Sequence, residues 1–73
     1  MALKNWYKIR ENNTLIVYEL QKQNTNILLY VQYKQVELGW WVILQEYEFE
    51  KLSRFFKQKS AAIEYAKFIM NRY

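Results

Sequence analysis

The chain has 73 residues, which is enough for a single domain spanning residues 1–73 around one hydrophobic core. It contains no Cys, no His and no Asp, which excludes disulfides, cysteine nucleophiles, imidazole bases and the usual zinc sites. The net charge of +4 favours contact with phosphates or another anionic surface, although a similar excess of Lys is also common in proteins that only stay in solution.

These properties predict a protein that binds a partner and is not an enzyme, with no cofactor and no metal. The absence of Cys, together with the lack of a long apolar run near the N-terminus, predicts a cytoplasmic protein that does not enter a membrane. Small domains without disulfides or metals often gain stability from association, so a second copy of the chain is one expected partner.

The first predicted strand runs from Leu3 to Arg10, where the side chains alternate with the two-residue period of a half-buried strand. We expect the face that carries Tyr7 and Ile9 to pack on the core. The opposite face would then point outward, and it carries Lys4, Trp6, Lys8 and Arg10. A turn should follow at Glu11 to Asn13, because Asn tolerates positive φ.

Two further strands are predicted in the next part of the chain. The run from Thr14 to Gln21 is rich in β-branched and aromatic residues, and Lys22 to Thr25 has the composition of a turn. Residues Asn26 to Val36 alternate again. In this third strand, Tyr30 and Lys34 fall on the outward face.

The fourth predicted strand extends from Trp40 to Phe49, after Gly39 has supplied the conformational freedom that reverses the chain. Its second half would present three carboxylates on one face, from Glu46, Glu48 and Glu50. Such a group could support acid–base chemistry or bind a hard cation, but a solvated strand face is the more common meaning of this spacing.

The last part of the chain changes from the period of a strand to that of a helix. Lys51 to Phe56 forms either a short fifth strand or a loop, and Ser60 is the expected N-cap of the helix. The helix would carry an apolar stripe of Ala62, Ile63, Ala66, Ile69, Met70 and Tyr73. The sequence therefore predicts an α+β domain, an antiparallel meander of about four strands with a possible short fifth and one C-terminal helix packed on one face.

Aromatic and basic residues alternate on the outward faces of the first and third predicted strands. Aromatic rings can stack on bases while neighbouring cations hold phosphates, so this surface is a candidate nucleic-acid site. Its candidate residues are Lys4, Trp6, Lys8, Arg10, Tyr30 and Lys34. Alternatively, a second copy covers this face, or Trp6 lies along the stems of neighbouring lysines.

A second basic set, Lys51, Arg54, Lys57 and Lys59, precedes the predicted helix. The helix dipole favours anions at the N-terminus, so these cations either bind an external anion or belong to a solvated loop. The candidate nucleic-acid contacts in this set are Arg54, Lys57 and Lys59.

Two short motifs carry a resemblance to a known family. Residues 39–43 read G-W-W-V-I and residues 56–62 read F-K-Q-K-S-A-A. The segment from 39 to 69 thereby resembles the arm-type DNA-binding domain of phage and transposon tyrosine recombinases, in which a G-x-W-x-V strand and a second strand precede a helix that opens F-K-x-K-x-x-A. It is also similar to small bacterial domains of unknown function. The resemblance implies the same order of strands and helix and, through the recombinases, DNA binding, although this chain has glutamates where the recombinase strands are basic.

Two functions therefore remain open. The first is a nucleic-acid-binding module of phage or mobile-element type, for DNA or RNA. The second is a protein-interaction module, either a homodimer or an inhibitor of a partner protein, that uses the aromatic outer face and an edge strand. The observation that distinguishes them is whether Trp6 and the segment from Lys51 to Lys59 form one continuous basic surface in the fold.

Overall fold

The computed structural model describes residues 5–22 and 24–73, and it shows a sheet of five antiparallel strands followed by one helix. The elements are β1 (Trp6–Glu11), β2 (Leu15–Leu20), β3 (Ile27–Lys34), β4 (Gly39–Glu46), β5 (Phe49–Phe56) and α1 (Lys59–Met70). The strands pair in chain order, so the sheet is a meander. The predicted α+β class is confirmed, and the fifth strand is eight residues long.

Helix α1 covers one face of the sheet, called here the inner face, and leaves the opposite or outer face uncovered by any helix in the described residues. The core lies between the inner face and α1. The largest of its fully buried side chains are Ile16, Leu29, Val31, Val42 and Met70. The apolar stripe of the helix is confirmed at the four buried helix residues Ala62, Ala66, Ile69 and Met70.

The predicted orientation of β1 is wrong. Trp6 points into the core on the inner face and is only 7% exposed, whereas Tyr7 and Ile9 are each 52% exposed. Trp6 pairs with Leu20 across the ladder, and its ring meets the ring of Tyr73 edge-on. Both parities of this strand contain apolar residues, and the indole buries the largest area, so it takes the place in the core.

A β-bulge in β1 separates cations that the sequence placed on one face. The register shifts between Lys8, which pairs with Tyr18, and Arg10, which pairs with Val17. Tyr18 packs against the core, so Lys8 lies on the side of Trp6, whereas Arg10 lies on the outer face. One extra residue in a strand is sufficient to turn the following side chains to the other face.

Strand β4 ends at Glu46 and does not continue to Phe49 as predicted. Tyr47 has a φ of 59° and forms a tight turn with Glu48. The Tyr47 hydroxyl donates a hydrogen bond of 2.9 Å to the carbonyl oxygen of Asn24 in the neighbouring turn, which fixes this position. The predicted carboxylate face is therefore absent. Glu46 ends β4, Glu48 lies in the turn, and Glu50 belongs to β5.

The role predicted for Gly39 is also corrected. The left-handed residue that reverses the chain before β4 is Leu38, with a φ of 54°, and Gly39 itself has no positive φ. Gly39 is instead the first residue of β4, and the ring of Phe55 occupies the space that a Cβ there would need.

Helix α1 begins slightly earlier than predicted. Its N-cap is Gln58, which has an extended backbone and makes no side-chain capping hydrogen bond, so Ser60 is a helical residue and not the cap. The part of the chain that the structure describes contains no helix long and apolar enough to cross a membrane.

Candidate nucleic-acid interface

Three of the candidate residues from the N-terminal strand do not form the predicted stacking surface. Lys4 lies outside the described residues. Trp6 is buried on the inner face, where its ring meets that of Tyr73, and it cannot stack on a ligand. Lys8 forms an exposed ion pair of 3.0 Å with Glu11, and this hydrogen bond raises the pKa of Lys8.

Four other candidate cations lie toward one end of the sheet, on different elements and on both of its faces. This basic end is defined by Lys34, Arg54, Lys57 and Lys59. Here β3 ends opposite the start of β4, and β4 begins beside the end of β5. The chain then passes directly from β5 into α1. The end of β3, the end of β5 and the start of α1 therefore carry these side chains.

Two lysines of the basic end lie over adjacent tryptophans of β4. Lys34 Nζ is 5.9 Å from the centroid of the Trp41 ring, and Lys59 Nζ is 5.2 Å from that of Trp40. Because side chains alternate along a strand, Trp40 lies on the inner face and Trp41 on the outer face. Such contacts are typical cation–π interactions. Neither ring is among the site residues predicted from the sequence, although a pair of tryptophans just after the turn that follows Lys34 was an available signal.

Arg54 is held in the same way on the inner side of β5. Its guanidinium carbon lies 5.5 Å from the centroid of the Phe56 ring and 5.1 Å from that of the Tyr65 ring. The two rings pack on one another with centroids 5.3 Å apart. Lys57 follows the end of β5 and is exposed.

The cations of the basic end have no carboxylate partner among residues 5–22 and 24–73. The ion pairs in this part of the chain join Lys8 to Glu11 and Lys51 to Glu46, the latter at 3.4 Å. Lys51, the remaining member of the second basic set, therefore lies beside a carboxylate near the opposite end of the sheet.

Charge is partly separated along the strands. The end opposite the basic end, near the β2–β3 and β4–β5 turns, carries the four glutamates Glu19, Glu46, Glu48 and Glu50, whereas Glu37 lies in the β3–β4 turn at the basic end. Helix α1 starts at the basic end, and its first turn contains no acidic residue. The partial positive charge of a helix N-terminus therefore adds to the four cations.

The last two candidates, Arg10 and Tyr30, lie in the middle of the outer face. They help to line a depression of about 300 Å³, together with Ile9, Leu15, Val17 and Leu28. Tyr30 and Lys34 both point outward as predicted, but Lys34 lies four positions further along β3, which is about 14 Å. Trp6 and the segment from Lys51 to Lys59 do not form one surface, because β1 and β5 are opposite edges of the sheet.

Within the described ranges, no three carboxylates come together in a way that could hold a metal ion. Comparison with protein-family models, with curated proteins and with solved structures finds no match. The resemblance to recombinase arm domains therefore stays a prediction that depends on the two motifs.

Proposed function

We propose that this chain is a small non-catalytic module that binds nucleic acid through its basic end. The observation that carries this proposal is the location of four cations toward the end of the sheet at which α1 begins, without carboxylate partners in the described residues; they are Lys34, Arg54, Lys57 and Lys59. Unpaired cations at a helix N-terminus form a favourable environment for phosphate oxygens.

The aromatic rings beneath three of these cations support the proposal. A long Lys or Arg side chain loses rotamer freedom when it binds a phosphate, and this loss opposes binding. A ring that already holds the stem or head of the side chain reduces the loss. Lys59 on Trp40 and Arg54 on Tyr65 are therefore partly ordered before any ligand arrives.

The shape of the basic end favours single strands over duplex. It is formed by strand ends and turns, whereas the grooves of a duplex accept a helix or a two-stranded ribbon. Half-buried aromatic rings among cations, such as Trp40 and Phe56 here, are the combination that single-strand-binding surfaces use.

The experiment that tests this function is a salt series of binding to labelled single-stranded DNA and RNA, followed by fluorescence anisotropy. The test variant replaces Lys34 and Lys57 by Gln. Each lost phosphate contact should reduce the slope of log affinity against log salt by about 0.7, so the double variant should lose about 1.4.

The matched control replaces Lys22 and Lys67 by Gln, which removes the same charge away from the basic end. Lys22 lies in the β2–β3 turn and Lys67 in the last turn of α1. The control should keep the parent slope. Equal loss in both double variants, or no binding by the parent at low salt, would contradict the proposal.

A protein-interaction function is the second candidate, and one observation favours it. The residues that the structure describes leave the outer face uncovered, and its central depression is lined mainly by aliphatic side chains. Apolar patches of this kind mark contact surfaces more often than they mark phosphate sites.

A further inference from the structure

The turn between β3 and β4 exposes two aliphatic side chains at the basic end. It runs from Gln35 to Leu38, and the amide of Leu38 donates a hydrogen bond of 3.1 Å to the carbonyl oxygen of Gln35. Val36 in this turn is 94% exposed, and Leu38 is 70% exposed. Tight turns favour Gly, Asn, Asp and Ser, so the fold itself gives no reason for two aliphatic residues here.

The backbone of Leu38 makes its side chain a costly choice. Its φ of 54° is left-handed, a conformation in which Gly or Asn is usual because a Cβ crowds the neighbouring carbonyl oxygen. Leu38 therefore departs from the preference of the turn and leaves apolar surface in water at the same position. Residues that break two such rules together are expected at functional positions.

Cations flank this turn on both sides. Lys34 is the last residue of β3 and lies directly before it. On the other side, Phe56 pairs with Trp40, so Lys57 lies level with the start of β4. Strands β3 and β5 lie on either side of β4, about 10 Å apart. An anionic chain that crosses the end of the sheet from Lys34 to Lys57 therefore passes beside the turn.

We propose that Val36 and Leu38 form an aliphatic wedge, which enters between adjacent bases of a bound single strand while the flanking lysines hold its phosphates. This inference rests on the proposed function and adds to it the way in which bases are contacted. Apolar side chains that separate neighbouring bases are an established mode of nucleic-acid contact. Glu37, between the two wedge residues, is exposed and repels phosphates, so the turn itself contributes apolar contact and not phosphate binding.

The small size of the wedge favours bases over other apolar partners. Its two side chains contain about half the hydrocarbon of a myristoyl chain, and one such chain gives only marginal membrane binding. A standard protein interface buries about 800 Å² on each partner, far more than two aliphatic side chains supply. In contrast, one or two apolar side chains are sufficient to separate neighbouring bases. Together with the flanking cations, the size of the wedge therefore matches a nucleic-acid strand.

A wedge makes affinity depend on how strongly the bound bases stack on one another. Separating two stacked bases costs free energy, and the cost is smallest where stacking is weak. Thymines stack on one another more weakly than adenines do, and differences in stacking strength are a known source of preference for pyrimidine strands. The chain should therefore bind a thymidine oligonucleotide about three- to tenfold more tightly than an adenosine oligonucleotide of equal length.

The test compares the parent with the double variant Val36→Ser, Leu38→Asn on both labelled oligonucleotides, by fluorescence anisotropy at several salt concentrations. Asn tolerates a left-handed backbone, so the variant should fold at least as stably as the parent, and urea denaturation checks this. It should bind the thymidine oligonucleotide about three- to tenfold more weakly, with an unchanged salt slope, because apolar contact releases no counterions. The preference for thymidine should disappear.

The matched control is Phe49→Ser, which removes an apolar side chain that is 72% exposed at the opposite end of the sheet. It should bind both oligonucleotides as the parent does. A direct readout of base separation is the fluorescence of aminopurine placed within the oligonucleotide, because stacking on neighbouring bases quenches it. At saturation the parent should increase this fluorescence, whereas the double variant should leave it unchanged.

Failure of this inference is distinguishable from failure of the proposed function. A parent that binds neither oligonucleotide at low salt would overturn both. A parent that binds, together with a double variant of equal affinity or equal aminopurine fluorescence, would overturn the wedge alone. Vesicles of phosphatidylcholine and phosphatidylserine form the last arm. Co-sedimentation of the parent that the double variant loses, while its oligonucleotide binding is unchanged, would assign the two residues to a membrane surface and overturn the inference.

Discussion

The ring of Phe55 lies over Gly39 on the outer face of the sheet, in the space that a Cβ at position 39 would occupy. The same ring packs against Trp41, with centroids 5.5 Å apart. Gly39 also pairs with Lys34, so the missing side chain allows the aromatic rings and the cation of the basic end to lie close together.

The first prediction is that Gly39→Ala destabilises the fold by about 1 to 3 kcal/mol, because a methyl group would displace a ring that Trp41 already confines. Chemical denaturation measures the change. Combining Gly39→Ala with Phe55→Leu should recover part of the loss. Since Gly39 has no positive φ, a gain in stability from Gly39→Ala alone would show that the ring moves aside freely.

The second prediction concerns the anchor of α1. Ile69 is 6% exposed in the core, whereas the adjacent Phe68 is 52% exposed. Ile69→Ala should lower the free energy of unfolding by about 2 to 4 kcal/mol, as truncation of buried aliphatic residues does. Phe68→Ala serves as the control and should have a clearly smaller effect on the denaturation midpoint. A larger loss of stability in Phe68→Ala than in Ile69→Ala would show that α1 packs on the sheet through a different face.

The third prediction is a loss of stability at alkaline pH. Burial raises the pKa of Tyr18 above its ordinary value of 10.0, an effect that nearby Lys8 opposes and Glu11 assists. The folded chain then holds the phenolic proton more tightly than the unfolded chain does. At neutral pH the phenol is protonated in both states, so its titration does not change the free energy of unfolding. That free energy should fall as the pH rises above 10.0, because the unfolded chain then loses the proton first.

Urea denaturation of the parent and of Tyr18→Phe, from neutral pH to about pH 11, measures this effect. The variant should lose less stability than the parent over the alkaline part of the series. Lys8, whose pKa is also raised, contributes a decline of the same sign in both proteins. If the free energy of unfolding fell equally steeply with pH in both proteins, the Tyr18 hydroxyl would be exposed to solvent and the prediction would be wrong.

The fourth prediction separates the charge of Arg54 from the ring that holds it. Tyr65→Leu removes a ring 5.1 Å from the guanidinium but no charge, so nucleic-acid affinity should fall by a few-fold, about 0.5 to 1 kcal/mol, with an unchanged salt slope. Arg54→Gln should reduce both the affinity and the slope, the latter by about 0.7 on single strands. A change of slope in Tyr65→Leu would contradict the role assigned to the ring.

The order of strands and helix could be predicted from the sequence because the hydrophobic period changes from two residues to that of a helix near Phe56. The face of β1 could not, because apolar residues occupy both parities and the bulge near Arg10 leaves no mark in the pattern. The end of β4 was missed for a similar reason. Tyr47 and Glu48 continue the alternation of the strand, although Tyr47 adopts a left-handed turn conformation.

The basic end could be predicted only in part. Lys57 and Lys59 are close in sequence, so their common location followed from the sequence alone. Lys34 joins them only through the register that pairs it with Gly39, and the rings beneath the cations depend on which way each strand faces. Pairing register and facing direction are tertiary properties, and they decide which charges meet.

The central claim is tested most directly by following the backbone amide signals of the isotope-labelled protein by NMR while a short single-stranded oligonucleotide is added at low salt. The largest shifts are expected around the basic end, at Lys34, Gly39, Lys57 and Lys59, with little change at Lys22 and Glu48 at the opposite end. Shifts centred on that opposite end or on Tyr30, or no shifts at saturating oligonucleotide, would contradict the account.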